Sequence, residues 1–145
     1  MLYVVTGPPA GGKSSWIDAH AKPSDIVIDL DRITLALTGP GAPNWNQHPL
    51  HIRVAHRARY AAIDEALQLL DQLDVYLIHT MPGAKALAKY KRYKARIITV
   101  DPGEAIVMQR IEAMRSPAME RVATRWYRAR AGRPREAMPQ ASRSW

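Results

Sequence analysis

The sequence predicts an α/β fold in which helices cover both faces of a parallel sheet of four or five strands. Four short apolar runs are typical of buried strands, and they fall at Leu2–Thr6, Asp25–Leu30, Val75–Thr80 and Arg96–Val100. They are rich in Val, Ile and Tyr and lack strict apolar–polar alternation, as expected for strands covered on both sides. Because helical segments lie between them, the chain is predicted to form βαβ units in a three-layer domain.

The helical segments follow in chain order, and the longest has Ile63, Ala66 and Leu70 at helical spacing. The predicted helices are Lys13–His20, His51–Leu73, Gly83–Lys94, Gly103–Arg115 and Pro117–Ala131. Residues 39–50, rich in Pro, Gly and Asn, are expected to form a loop. Residues 132–145 show no periodicity, so we expect one domain over 1–131 followed by a mobile tail.

Composition narrows the class of protein. The chain has no cysteine, which excludes disulfides and thiolate chemistry, and no apolar run of membrane-spanning length. Its start is typical of a first strand and not of a signal peptide, so we expect a cytoplasmic protein with no membrane partner. The net charge of +8 is uneven: residues 1–83 carry six basic and eight acidic side chains, and residues 84–145 carry fifteen and five. The basic half would attract polyanions such as ATP or nucleic acid.

Residues 7–14, GPPAGGKS, satisfy the pattern G-x-x-x-x-G-K-[ST] between a predicted strand and a predicted helix. In this context the pattern predicts a phosphate-binding loop, and with it the P-loop NTPase fold and ATP as cofactor. Lys13 would reach the β- and γ-phosphates, and Ser14 would ligate Mg²⁺. The predicted binding residues are Gly7, Pro8, Pro9, Ala10, Gly11, Gly12, Lys13, Ser14 and Ser15.

Two aspartates lie where the second strand ends. Asp29 and Asp31 are two residues apart, so in a strand they would share one face at the ligand edge of a parallel sheet. A phosphotransferase needs one carboxylate for Mg²⁺ and one to accept the proton of the attacking hydroxyl. We expect Asp29 nearer the metal and Asp31 nearer the substrate, with Arg32 available to bind phosphate. Alternatively, Asp31 caps the following helix.

The third strand ends in His79 and Thr80, where many NTPases have the acidic Walker B residue. This difference favours a small kinase over a motor ATPase.

Arg110 and Arg115 lie on the penultimate helix, and Arg125 lies on the last. They could close over the triphosphate and stabilise the transferred phosphoryl group, although a solvated basic face would have the same pattern.

Two further basic clusters have no motif behind them. Residues 89–96, KYKRYKAR, could follow a nucleic-acid backbone with bases stacked on Tyr90 and Tyr93, or form an exposed helix face. Arg53, His56, Arg57 and Arg59 follow strand two, and they are candidate phosphate contacts.

Over residues 1–131 the chain resembles the phage-type polynucleotide 5′-hydroxyl kinases and related small P-loop kinases. The similarity lies in GPPAGGKSSW, the D-x-x-R element from Asp29 to Arg32, the helix EAIVMQRIEAMR and the helix ERVATRWYRAR. It implies a general-base aspartate, a phosphate-binding Arg32 and a lid pair formed by Arg110 and Arg115. The lid arginines are five apart here, where that family typically has four. The Asp-x-Asp element also resembles shikimate and gluconate kinases, but the shikimate kinase glycine triplet is absent.

The leading hypothesis is therefore an ATP-dependent kinase that phosphorylates a hydroxyl of a nucleotide or a nucleic-acid 5′ end. Two alternatives are a nucleotide-dependent binding protein or ATPase switch without an acceptor, and a small-metabolite kinase.

Overall fold

The computed structural model describes residues 1–43, 47–114 and 116–132. Four parallel strands form one sheet in the order β2–β3–β1–β4, and helices lie on both of its faces. The strands are β1 (Leu2–Thr6), β2 (Ile26–Ile28), β3 (Val75–Ile78) and β4 (Arg96–Thr99). The helices are α1 (Lys13–His20), α2 (Leu30–Ala36), α3 (Pro49–Ala66), α4 (Ala84–Arg92), α5 (Glu104–Met114) and α6 (Pro117–Ala131), with a short 3₁₀ helix at Leu67–Leu69. The predicted α/β class and parallel four-stranded sheet are confirmed.

Successive strand residues point to opposite faces of the sheet, and each face has its own core. Leu2 and Val4 of β1 pack with the apolar side of α3 and with Tyr90 of α4. Val5 packs on the other face with Trp16 and other residues of α1. The sequence lacks apolar–polar alternation because both faces are buried in this way.

A third core cluster joins the last two helices to the rest of the fold. Val107 and Ile111 of α5 pack against Ala123 of α6, and the partly buried Ala10 packs on the same cluster. Ser116 caps α6 by accepting a hydrogen bond from the backbone N–H of Met119 at 3.3 Å. The paired helices therefore lie beside the loop that follows β1.

The main differences from the predicted boundaries have local causes. β2 ends at Ile28 and not at Leu30, because the side chain of Asp29 caps α2, which begins at once. α3 begins at Pro49 because His48 accepts a hydrogen bond from the Leu50 backbone N–H through its Nδ1 at 3.1 Å. The predicted tail beyond residue 132 lies outside the described residues. Within the described ranges, no helix is both long and apolar enough to cross a membrane.

Candidate functional site

The glycine-rich loop, residues 7–12, joins β1 to α1, so the strand and the helix that its motif requires are both present. Its backbone has no room for side chains at the critical turn. A Cβ on Gly7 would lie 2.2 Å from the carbonyl oxygen of Val100, and the φ of 147° at this residue is one that L side chains rarely adopt. Gly12, immediately before α1, has φ of 96°. The loop backbone therefore lies tightly against Val100, the residue that follows β4.

Lys13 is buried beneath this loop. Its Nζ donates hydrogen bonds to the carbonyl oxygens of Gly7 at 2.9 Å and Pro8 at 2.7 Å. Burial lowers the pKa of the ammonium group from 10.5 to about 8, although the nearby carboxylates of Asp29 and Asp31 oppose the shift. Two main-chain oxygens thus hold a desolvated ammonium group at the loop, and the charges of Asp29 and Asp31 favour its protonated form.

Asp29 links the loop helix to the end of β2. Its Oδ2 accepts a hydrogen bond from Ser14 Oγ at 3.3 Å, and its Oδ1 accepts one from the backbone N–H of Asp31 at 3.0 Å. The second contact makes Asp29 the N-cap of α2, so the alternative that Asp31 caps this helix is wrong. The expectation that both aspartates share one face of a strand is also wrong, because the strand ends before them.

Asp31 lies in the first turn of α2 and lines the same cleft as Asp29. Asp31 is an exposed residue. Partial desolvation at the edge of the cleft raises the pKa of the Asp31 carboxyl group, the neighbouring charge of Asp29 raises it further, and Lys13 opposes both effects. Asp31 is therefore a carboxylate with raised proton affinity that also borders open space.

These groups border a cleft of about 790 Å³ at the carboxyl edge of the sheet. Its lining comes from the loop, from α2 and α3, and from α5 with Met119 of α6. Ten predicted site residues line it: Pro9, Ala10, Gly11, Gly12, Lys13, Ser14, Ser15, Asp29, Asp31 and Arg110. In open α/β sheets, ligands bind at this edge, where the strands end.

The predicted arginines separate in the structure. Arg110 reaches the loop, where its Nη1 donates a hydrogen bond to the carbonyl oxygen of Ala10 at 3.0 Å. Arg32 and Arg125 are exposed and do not line the cleft. Arg125 points outward because Trp126 and Ala123 occupy the buried side of α6. Arg115 lies outside the described residues.

The last helix is tied to the ends of two strands. Trp126 Nε1 donates a hydrogen bond to the carbonyl oxygen of Thr80 at 3.0 Å, just beyond β3. The hydroxyl of Tyr127 donates to Asp101 Oδ1 at 2.6 Å, just beyond β4. Burial and this hydrogen bond raise the pKa of the Tyr127 phenol. Both contacts hold α6 at the edge where the cleft opens.

Three residues outside any motif lie together where the end of β3 meets α3 and α4. Arg59 is 7% exposed, and its Nη2 donates a hydrogen bond to the carbonyl oxygen of Ile78 at 3.2 Å. His79 Nδ1 and the Tyr90 hydroxyl lie 2.8 Å apart in a hydrogen bond. Burial lowers the pKa of His79 to about 4, and the charge of Arg59 contributes. At neutral pH this position therefore holds an uncharged imidazole where a Walker B acid would carry a negative charge.

A signal for Arg59 was present in the sequence. With Ala55, Ile63 and Ala66 it follows the helical spacing of the buried stripe of α3, and a charged residue in such a stripe is unusual. The position of Tyr90 was not predicted. It is 3% exposed, so its ring cannot stack on a base, and that part of the nucleic-acid interpretation of residues 89–96 is wrong.

The separation of the Ser14 and Asp29 side-chain oxygens is compatible with two neighbouring ligands of one magnesium ion. Adjacent oxygen ligands of an octahedral ion at about 2.1 Å lie about 3.0 Å apart, and the two oxygens here are 3.3 Å apart. Over residues 1–43, 47–114 and 116–132, no group of three or more His, Cys, Asp or Glu could hold a metal alone. Magnesium at such sites usually keeps waters and substrate phosphates as its other ligands.

No protein-family model and no curated protein matches this chain.

Proposed function

We propose that the protein is an ATP-dependent phosphotransferase that moves the γ-phosphate to a hydroxyl group of a nucleotide or a nucleic-acid end. One observation carries the proposal: Lys13, Ser14, Asp29 and Asp31 converge on one cleft, with Ser14 and Asp29 in contact. A phosphate-binding cation, a hydroxyl–carboxylate pair for magnesium and a separate carboxylate are the parts that such a reaction requires.

The donor half of the site would be the loop and the start of α1. Backbone N–H groups of the loop and the N-terminus of α1 suit phosphate oxygens. Lys13 would turn from the loop carbonyls to the β- and γ-phosphates. The negative charge of these two phosphates would favour the protonated ammonium form of Lys13. Ser14 and Asp29 would hold Mg²⁺, which neutralises phosphate charge when bound. Arg110, already at the loop through Ala10, would stabilise charge on the transferred group.

Asp31 is the better candidate for the general base. Asp29 is 5% exposed and both of its oxygens are engaged, whereas Asp31 borders the cleft with a raised pKa. The acceptor oxygen would attack the γ-phosphorus as the bond from that phosphorus to the β–γ bridging oxygen breaks. The hydroxyl proton would pass to the Asp31 carboxylate, and ADP would leave with the bridging oxygen. The site differs from those of motor ATPases because His79 lies at the position where they have an acidic Walker B residue.

The test is transfer of label from γ-labelled ATP to a 5′-hydroxyl oligonucleotide, to nucleosides, to nucleoside monophosphates and to a panel of small polyols. Asp31→Asn should lower the rate of transfer by about 10²–10⁴-fold while ATP still binds. Asp29→Asn should weaken binding of ATP in the presence of Mg²⁺. Asp18→Asn, at an exposed residue of α1 away from the cleft, is the matched control and should leave both unchanged.

The outcomes separate the alternatives. Label on polyols alone would indicate a small-metabolite kinase. If no acceptor is labelled, and Asp31→Asn leaves ATP turnover intact, the proposed transferase function is wrong and a nucleotide-dependent switch becomes the better hypothesis.

A further inference from the structure

A second cavity of about 430 Å³ adjoins the cleft, between α3 and α4. Arg59, Tyr60 and His79 line both spaces, so they form the border between them. The volume falls within the range of about 300–1,000 Å³ that is usual for small-molecule sites. The residues proposed above for phosphate transfer, Lys13, Ser14, Asp29, Asp31 and Arg110, do not line this cavity.

The second cavity is basic. α4 contributes Lys85, Lys89 and Arg92, spaced four and three residues apart and so on one face of the helix. Among the described residues, Asp64 is the one carboxylate in its lining, and its Oδ1 is paired with Lys89 Nζ at 2.8 Å. Arg59, Lys85 and Arg92 are the cations of the lining that remain without an ion pair among the described residues.

The burial of Arg59 is the strongest of these observations. It is more than nine-tenths buried, yet within the described ranges no carboxylate pairs with it. A guanidinium group has five N–H donors. Arg59 donates to the Ile78 carbonyl oxygen and also hydrogen-bonds to the Tyr90 hydroxyl, but neither partner carries a negative charge. Burying a cation is costly unless an anion or several hydrogen bonds compensate. The neutral imidazole of His79 beside it supplies no negative charge.

We propose that the second cavity binds a phosphate ester of the acceptor, held by Arg59 at the border and by Lys85 and Arg92 on α4. The inference rests on the proposed function and narrows its substrate class. The acceptor carries a phosphate ester beside the hydroxyl that receives the new phosphate. Arg59 is suited to this contact because its planar group binds two phosphate oxygens at once. Tyr60, 57% exposed at the border, offers a ring on which a base can stack.

The first experiment measures binding by calorimetry, with the full chain and saturating ADP and Mg²⁺ to occupy the cleft. Three probes are compared: a nucleoside, its 3′-monophosphate and a dinucleoside monophosphate. We expect both phosphate-bearing probes to bind at least tenfold more tightly than the nucleoside. A preference for the dinucleoside compound would identify the source of the phosphate as a nucleic-acid strand, and equal binding would identify a mononucleotide.

The double variant Lys85→Gln/Arg92→Gln should lose about tenfold in affinity for the phosphate-bearing probes, with a salt dependence shallower by about one to two in slope. The control Lys91→Gln/Arg121→Gln removes the same charge from exposed positions outside both cavities, and its affinity should stay within twofold of the wild type. Arg59→Lys keeps the charge but loses the planar group. It should weaken binding of the phosphate-bearing probes and leave nucleoside binding unchanged.

Equal losses in the site and control variants would overturn the inference, because they would show general attraction to a basic surface. Equal affinity for the nucleoside and the phosphate-bearing probes would overturn it as well. The two proposals fail separately. Phosphate-dependent binding without transfer of label contradicts the kinase alone. Transfer of label to nucleosides as efficient as transfer to their 3′-monophosphates contradicts the second cavity alone.

Discussion

The buried ammonium group of Lys13 should make the stability of the protein depend on alkaline pH. In the folded protein its pKa is about 8, and in the unfolded chain it is near the ordinary 10.5. Between these values the unfolded chain binds more protons, so the free energy of unfolding rises with pH. Each pKa unit corresponds to about 1.36 kcal/mol, and the full difference therefore corresponds to about 3 kcal/mol.

The assay is urea denaturation of the wild type and of Lys13→Met from pH 7 to 10.5. Other groups titrate in this range, but they do so in both proteins, so the difference between the two curves isolates Lys13. We expect the wild type to gain about 3 kcal/mol relative to Lys13→Met over this range. The control Lys13→Arg keeps its charge throughout, so its difference from Lys13→Met should not change with pH. A wild-type difference that is constant within about 0.5 kcal/mol would refute the reasoning.

Three further predictions concern the loop, the last helix and the imidazole in the cleft. Gly7→Ala places a methyl group against a carbonyl oxygen 2.2 Å away and should destabilise the fold by about 3 kcal/mol or more. The control Gly39→Ala meets no atom within 4 Å and should change the melting temperature little. Trp126→Phe removes the hydrogen bond to Thr80 and should lower the free energy of unfolding by about 1–2 kcal/mol, measured by denaturation; no change would show that this contact does not stabilise α6. Nitrogen NMR should show His79 neutral down to about pH 4 in the folded protein. Because His79 in the unfolded chain is protonated near pH 6.5, the free energy of unfolding should fall as the pH drops from 6.5 to 4. Protonation near pH 6.5 in the folded protein would contradict the burial of His79.

The fold was largely predictable because its signals are local. The four apolar runs, the helices between them and the glycine-rich loop each depend on residues close together in sequence. The end of β2 was predicted less well, since one side chain decided it. Leu30 continues the apolar run, but Asp29 stabilises a helix start by accepting the Asp31 backbone N–H.

The lining of the cleft was predictable where a motif contains the residues and not where tertiary packing brings them together. Lys13 and Ser14 follow from the loop motif alone. The contact between His79 and Tyr90 joins the end of β3 to α4, and no sequence pattern relates the two. The exposed position of Arg125 depends on which face of α6 meets the core, a choice that spacing alone leaves open. Charge periodicity identified a face but could not say what that face contacts.

The edges of the sheet bear on how the protein behaves at high concentration. β2 and β4 are its outer strands, with only three and four residues, and β4 begins at the exposed Arg96. Long, flat, apolar edges invite strands of other molecules to pair with them, whereas short edges and charged side chains discourage such pairing. The paired strands with the longest apolar runs, β1 and β3, lie inside the sheet. The strand order thus shields the segments most prone to form intermolecular β-structure, and resistance to aggregation follows from the same topology that gathers the strand ends at the cleft.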